Sequence, residues 1–304
     1  MAQRIGKSRP QKGRGKAKKE NEKSGSYSKF YKKETKKPGQ SSDKADRPVA
    51  APAPKQRQKV EYSGFDKDGY MRLNKYIAKS GICSRREADK LIATGVITIN
   101  GTLTTEMGFK VQRSDRVVMD GQLLTAEKTH YILLNKPKGF ITTTDDPQER
   151  RTVMTLIDKA TDDRVYPVGR LDMKTTGLLL FTNDGDIAKK LTHPKHRVRK
   201  VYQVSLDRPL TKNDMQKIID GLTLDDGEII VDKVAYVEGQ DNKKEIGIQI
   251  HSGRNRIVRR IFEHLGYEVL RLDRVVFAGL TKKDLPRGKW RWLSTKEVDF
   301  LKMI

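Results

Sequence analysis

From Met71 onward the apolar residues fall into regular patterns, whereas residues 1–70 show none. Leu73, Tyr76 and Ile77 recur at helical spacing, and Gly81 is placed to end a short helix. A second helix start follows at Ser84-Arg85-Arg86-Glu87, a capping box in which the Ser84 hydroxyl takes an orphan backbone N–H and Glu87 reaches back to the Ser84 N–H. That helix is predicted to run to about Gly95, with Ala88, Leu91 and Ile92 on one face and Arg85, Arg86 and Lys90 pointing away from it. Two β runs come next, Val96-Ile97-Thr98-Ile99 and Val117-Val118-Met119. Each ends in a dipeptide suited to a type I′ turn, Asn100-Gly101 and Asp120-Gly121. The pattern predicts a compact unit of two helices and a small sheet ending near Leu124.

Beyond residue 128 the chain is long enough for a core of its own and mixes β runs such as Tyr131-Ile132-Leu133-Leu134 with helical stretches such as Asp214 to Gly221. The predicted fold class is α+β and not a doubly wound sheet. Three segments result: a tail and linker over 1–70, a small module over 71–127 and a larger domain over 128–304. No Gly-rich phosphate loop or dinucleotide fingerprint follows any strand, so nucleotide-driven or methyl-donor chemistry on the usual folds is disfavoured and no cofactor is expected.

Charge sharpens this outline. The chain has 304 residues and a net charge of +24. Half of the excess, +12, lies in residues 1–70 and the other +12 in residues 71–304. A polyanionic partner is the expectation for tail and folded part alike. Residues 1–70, rich in Lys, Gly, Ser, Gln and Pro, bury too little apolar surface to offset their ordering entropy and are predicted to be a disordered basic arm. The single cysteine, Cys83, forbids an internal disulfide, and the five histidines offer no ligand set at zinc spacing, so no metal is expected. No run approaches the ~18 apolar residues of a membrane span, which points to a cytoplasmic protein without membrane contact.

The most informative stretch is Gly169-Arg170-Leu171-Asp172, followed by Thr175 and by Gly177-Leu178-Leu179-Leu180-Phe181-Thr182. It resembles the signature of the branch of pseudouridine synthases that includes RsuA and RluB. Leu134-Asn135-Lys136-Pro137, Lys200-Val201-Tyr202 and Gly253-Arg254-Asn255-Arg256-Ile257-Val258-Arg259-Arg260 agree with it. The module at 71–127 resembles the αL RNA-binding module of that branch. The resemblance implies a small αL module followed by a domain with a mixed, mainly antiparallel sheet. It also implies isomerisation of a uridine in ribosomal RNA, the large subunit being the expected target, by a monomeric enzyme.

The same resemblance assigns roles. Asp172 is the matching catalytic carboxylate, Arg259 its charge partner and Tyr202 the pocket tyrosine that stacks on uracil. Arg170 is placed to fill the stack vacated by a flipped-out base. Arg72, Lys75, Arg85, Arg86, Arg254, Arg256 and Arg260 are the expected RNA-binding cations. Ile257 departs from the pattern, since many relatives carry Gln there. Without the resemblance, an Asp after Gly-Arg-Leu is more often a turn or salt-bridge residue, and a basic face is more often merely solvated. Two other classes compete: a non-catalytic RNA-binding or ribosome-assembly protein, which leaves the Asp172 motif unexplained, and a hydrolase, which would typically bring two carboxylates to the glycosidic bond.

Overall fold

A computed structural model describes residues 64–239 and 242–304; the predicted basic arm falls almost wholly outside them. The first unit contains β1 (Tyr70–Arg72), α1 (Leu73–Lys79), α2 (Arg85–Ala93), β2 (Ile97–Ile99), β3 (Thr102–Leu103), β4 (Lys110–Gln112), β5 (Val117–Met119) and β6 (Gln122–Leu123). The Ser84–Glu87 capping box is formed as expected, and α2 runs from Arg85 to Ala93. Asn100-Gly101 and Asp120-Gly121 both take positive φ at each residue, the twist that lets the short hairpins β2–β3 and β5–β6 close. The four-stranded sheet has the order β3-β2-β5-β6. A separate pairing, β1 with β4, adds Met71 and Val111 to a core built on Leu73, Ile77, Ala88, Ile92, Ile97 and Val117.

The second unit has one large sheet. Its elements in chain order are β7 (Tyr131–Lys136), β8 (Tyr166–Pro167), β9 (Thr176–Thr182), α3 (Gly185–Thr192), β10 (Lys200–Leu206), α4 (Lys212–Asp220), β11 (Leu222–Leu224), β12 (Gly227–Ile229), β13 (Lys233–Tyr236), β14 (Glu245–Ile250), α5 (Ile257–His264), β15 (Val269–Phe277), β16 (Leu280–Thr281), β17 (Trp290–Trp292) and α6 (Thr295–Met303). The main order is β13-β14-β10-β15-β9-β7-β17. Every pairing in it is antiparallel except β15 with β9. This is the mixed, mainly antiparallel α+β architecture that the sequence predicted.

Strands β7 and β9 are buried at every position because both faces of the sheet are covered. Alternation divides them: Ile132, Leu134, Leu179 and Phe181 join a core with Ile261 and Phe262 of α5, while Tyr131, Leu133, Leu178 and Leu180 pack with α3 and α6 through Ile187, Leu191 and Leu301. Fully burying one such side chain contributes ~1.5–3 kcal/mol, so α5 is fixed to the sheet by Val258, Ile261 and Phe262 together. The parallel contact of β9 with β15 demands Gly177: at φ +107° its position leaves a Cβ only 2.3 Å from the Arg274 carbonyl oxygen.

The two units are joined by ion pairs as well as by the chain. Lys75 of α1 pairs with Asp186 at the start of α3 at 2.8 Å, and its ammonium also donates to the Gly64 carbonyl. Lys75, expected to bind RNA, is therefore engaged in tying the two units together.

Candidate active site

The loop between β8 and β9 carries Arg170 and Asp172 just ahead of β9, an interior strand of the sheet. Asp172 is held from below by an unusual device, a lysine with no exposed surface. Lys136, at the end of β7, donates to the carbonyl oxygens of Asp172 at 3.0 Å, Thr175 at 2.9 Å and Pro137 at 3.2 Å. Burial lowers its pKa to about 8 against the opposing pull of the Asp172 carboxylate. Thr142 completes the support, its hydroxyl donating to the Leu171 carbonyl oxygen and accepting from the Leu171 N–H.

Asp172, Arg170, Tyr202, Arg254 and Arg256 line one cavity of about 270 Å³, close to the lower end of the ~300–1,000 Å³ typical of small-ligand sites. Asp172 is the single acidic residue in its lining. Its carboxylate remains about one-third exposed and lies 4.0 Å from an Arg256 guanidinium nitrogen. Arg256 adopts a left-handed backbone, φ +46°, just before α5. For a non-Gly residue this costs ~1 kcal/mol, and it aims the side chain across the cavity mouth. Tyr202 is buried on β10 and lines the cavity, as its expected stacking role requires.

The arginines of the 253–260 stretch depart from expectation. Arg259 makes no ion pair with Asp172 within 4.0 Å. It is buried in the first turn of α5, donates to the Val269 carbonyl oxygen at 2.8 Å and leaves its Nε without a partner. Burial and the neighbouring Arg256 charge push its pKa down, with Asp172 and Glu263 opposing, so it still senses Asp172 without touching it. Arg256 stands in the contact position because the left-handed turn swings it over the carboxylate.

Arg254 and Arg260, expected on phosphates, both also contact the β11–β12 hairpin. Arg254 donates to the carbonyl oxygens of Asp226, Gly227 and Glu228, and Arg260 forms a two-bond pair with the Asp226 carboxylate at 2.7 and 2.8 Å. Asp226 thereby anchors the 252–256 loop that forms one cavity wall. We expect Asp226→Asn to lower kcat several-fold with little change in RNA affinity, because the loop would loosen while the exposed cations remain. Unchanged steady-state kinetics would show that the hairpin does not position this wall.

On the first unit, Arg72, Arg85 and Arg86 are exposed on β1 and α2. Among the described residues Arg85 bonds only Asn74, at 3.2 Å. Sequence reasoning missed the roles of Lys136 and Asp226. Lys136 carried a faint signal, a charge ending a strand that opens on four apolar residues. Among the described residues no cluster of three or more potential metal ligands forms.

Residues 130–264 match the RNA pseudouridylate synthase family model, and residues 71–117 match the S4 domain model. Ribosomal large subunit pseudouridine synthase B of Bacillus subtilis (strain 168) is 41% identical over 236 residues, spanning 77% of this chain and 96% of the relative. The chain belongs to the RNA pseudouridine synthase family. A dual-specificity RNA pseudouridine synthase, RluF, of Escherichia coli (strain K12) is 38% identical, covering 78% of this chain and 80% of its own. A solved structure titled as a pseudouridylate synthase superposes with a TM-score of 0.55 at 30% identity, over 76% of this chain and 99% of that one. As a pseudouridine synthase with an S4 domain, the protein is an isomerase that acts on RNA, which removes the scaffold and hydrolase alternatives.

Proposed function

We propose that this pseudouridine synthase converts one uridine of large-subunit ribosomal RNA to pseudouridine, with Asp172 as the catalytic carboxylate. The observation that carries the reading is the charge arrangement of the cavity: one carboxylate, Asp172, facing a wall of cations beside the buried ring of Tyr202. The reaction breaks the bond from C1′ to N1 of uracil and forms one from C1′ to C5; C5 loses a proton and N1 gains one, with no net change in mass or oxidation state. A single carboxylate suits this balance because it stabilises or captures the anomeric carbon while uracil turns, and no second carboxylate activates water. Tyr202 holds the freed base by stacking. Arg256 sets a positive charge 4.0 Å from the Asp172 carboxylate, an opposite charge to face it as the pocket closes on RNA and water is lost.

The large-subunit assignment is supported by the names of relatives from Bacillus subtilis and Vibrio vulnificus, both ribosomal large subunit pseudouridine synthase B. Mapping pseudouridines in ribosomal RNA from a deletion strain tests it. Loss of one large-subunit site is expected; loss of a small-subunit site would overturn the assignment.

Binding is the work of the exposed cations, above all Arg85 and Arg86. Replacing both with Ala should make the log–log salt dependence of RNA binding shallower by up to about 2. An unchanged slope by filter binding across a salt series would make them ordinary solvated helix charges.

A further inference from the structure

The cavity continues past Tyr202 to a floor that the chemistry above does not use. Arg274 on β15 faces it from the position paired with Tyr202 of β10, and Lys200, two residues before Tyr202, also lines it. Arg274 is 3% exposed, donates from Nε to the Leu178 carbonyl oxygen at 2.8 Å and lies with its guanidinium carbon 4.4 Å from the Phe277 ring centre. One of its terminal nitrogens is buried with no hydrogen-bond partner. The Thr175 hydroxyl, on the same cavity lining, is also buried without a partner.

An orphan donor on a buried guanidinium is costly, and no carboxylate of the lining other than Asp172 is present to offset it. Lys200 adds to the imbalance. Its ammonium donates to the carbonyl oxygens of Val198 and His251, which carry no net charge, and burial together with the Arg274 charge lowers its pKa to about 8 despite Asp232. Two cations thus repel one another at the cavity floor, the arrangement that an entering anion relieves.

We propose that Arg274 and Lys200 form a phosphate subsite that takes a backbone phosphate next to the target uridine. The inference rests on the pseudouridine synthase reading for its ligand, since RNA is the anion that enters this cavity. The subsite sets which nucleotide reaches Asp172: a flipped uridine seats fully only when its flanking phosphate fills the floor. Arg274 supplies a planar fork that matches phosphate oxygens, and Lys200 supplies a second charge.

The test uses the full chain and inorganic phosphate, without turnover. Isothermal titration at low salt should show saturable phosphate binding that weakens at least about tenfold in both Arg274→Gln and Lys200→Gln. Arg274→Lys, which keeps the charge but not the fork, should bind phosphate more tightly than Arg274→Gln and more weakly than wild type, and Lys212→Gln, which removes an exposed charge on α4, should match wild type. Equal phosphate affinity in wild type and Lys200→Gln would overturn the proposal even if Arg274→Gln fails to fold. A second arm identifies the source. In a substrate RNA with one methylphosphonate beside the target uridine, wild type should show a KM raised about tenfold, and Lys200→Gln should be indifferent to the replacement. If methylphosphonate RNA is processed normally while inorganic phosphate still binds, the site serves free phosphate and the backbone assignment is overturned. Loss of isomerase activity with intact phosphate binding would refute the reaction, not the subsite.

Discussion

Asp172→Asn should abolish pseudouridine formation, a loss of at least ~1,000-fold or ~4 kcal/mol of barrier, while RNA affinity stays close to wild type. Asn occupies nearly the same volume, but it is neither an anion nor a competent nucleophile. The carbonyl oxygens that hold the loop, those of Asp172 and Thr175, belong to the main chain and are untouched. Affinity should persist because backbone phosphates carry most of it, through exposed cations such as the proposed pair Arg85 and Arg86. Release of tritium from C5 of uridine reports the reaction directly, since only bond formation at C5 expels that atom. Wild-type enzyme should release tritium with no free uracil. Full activity in Asp172→Asn would remove this residue from the chemistry, and free uracil from wild type would mean hydrolysis.

The motif around Asp172 is legible in the sequence, whereas the packing that surrounds it is not, and the difference is one of range. Features written in three or four adjacent residues were readable: the Ser84 capping box, the positive-φ pairs Asn100-Gly101 and Asp120-Gly121, and the apolar run Tyr131–Leu134 of β7. The pairing of Tyr70–Arg72 with Lys110–Gln112 left no comparable trace, because each strand has three residues and the register is set by a partner 40 residues away. The arginines show the same limit more sharply. Arg254, Arg256, Arg259 and Arg260 stand within seven residues of one another, yet they go to a hairpin, to Asp172 and Glu263, to a strand carbonyl and to Asp226 respectively. Side-chain type announces that such a stretch is basic. Which charges meet RNA and which are already satisfied depends on β11 and β12, whose approach no spacing within the stretch encodes.

Lys136 is where that limit has the greatest consequence for stability. Lys136→Met should destabilise the enzyme by ~2–4 kcal/mol at neutral pH and lower activity in the fraction that stays folded. The substitution keeps the apolar stem but removes the donor shared by three main-chain carbonyl oxygens, at ~1–3 kcal/mol for each acceptor left unsatisfied. The gain from no longer burying an ammonium offsets part of that loss. Asp172 then loses the brace beneath its own carbonyl, although the Thr175 N–H still donates to that oxygen at 3.0 Å. The pH dependence distinguishes this account from simple cavity formation. Lys136 has a folded-state pKa lowered to about 8, below the 10.5 of an unperturbed lysine. Between those values the unfolded chain holds a proton that the folded one has released, so raising the pH through this window favours folding. The methionine variant has no such group at position 136. The stability gap between wild type and Lys136→Met should therefore be constant below about pH 8 and widen as pH rises toward 10.5. Urea unfolding of both proteins across that range measures it, with Lys200 and other titrating groups cancelling in the difference. A gap independent of pH would mean that Lys136 keeps its proton throughout and that burial at the end of β7 does not perturb it.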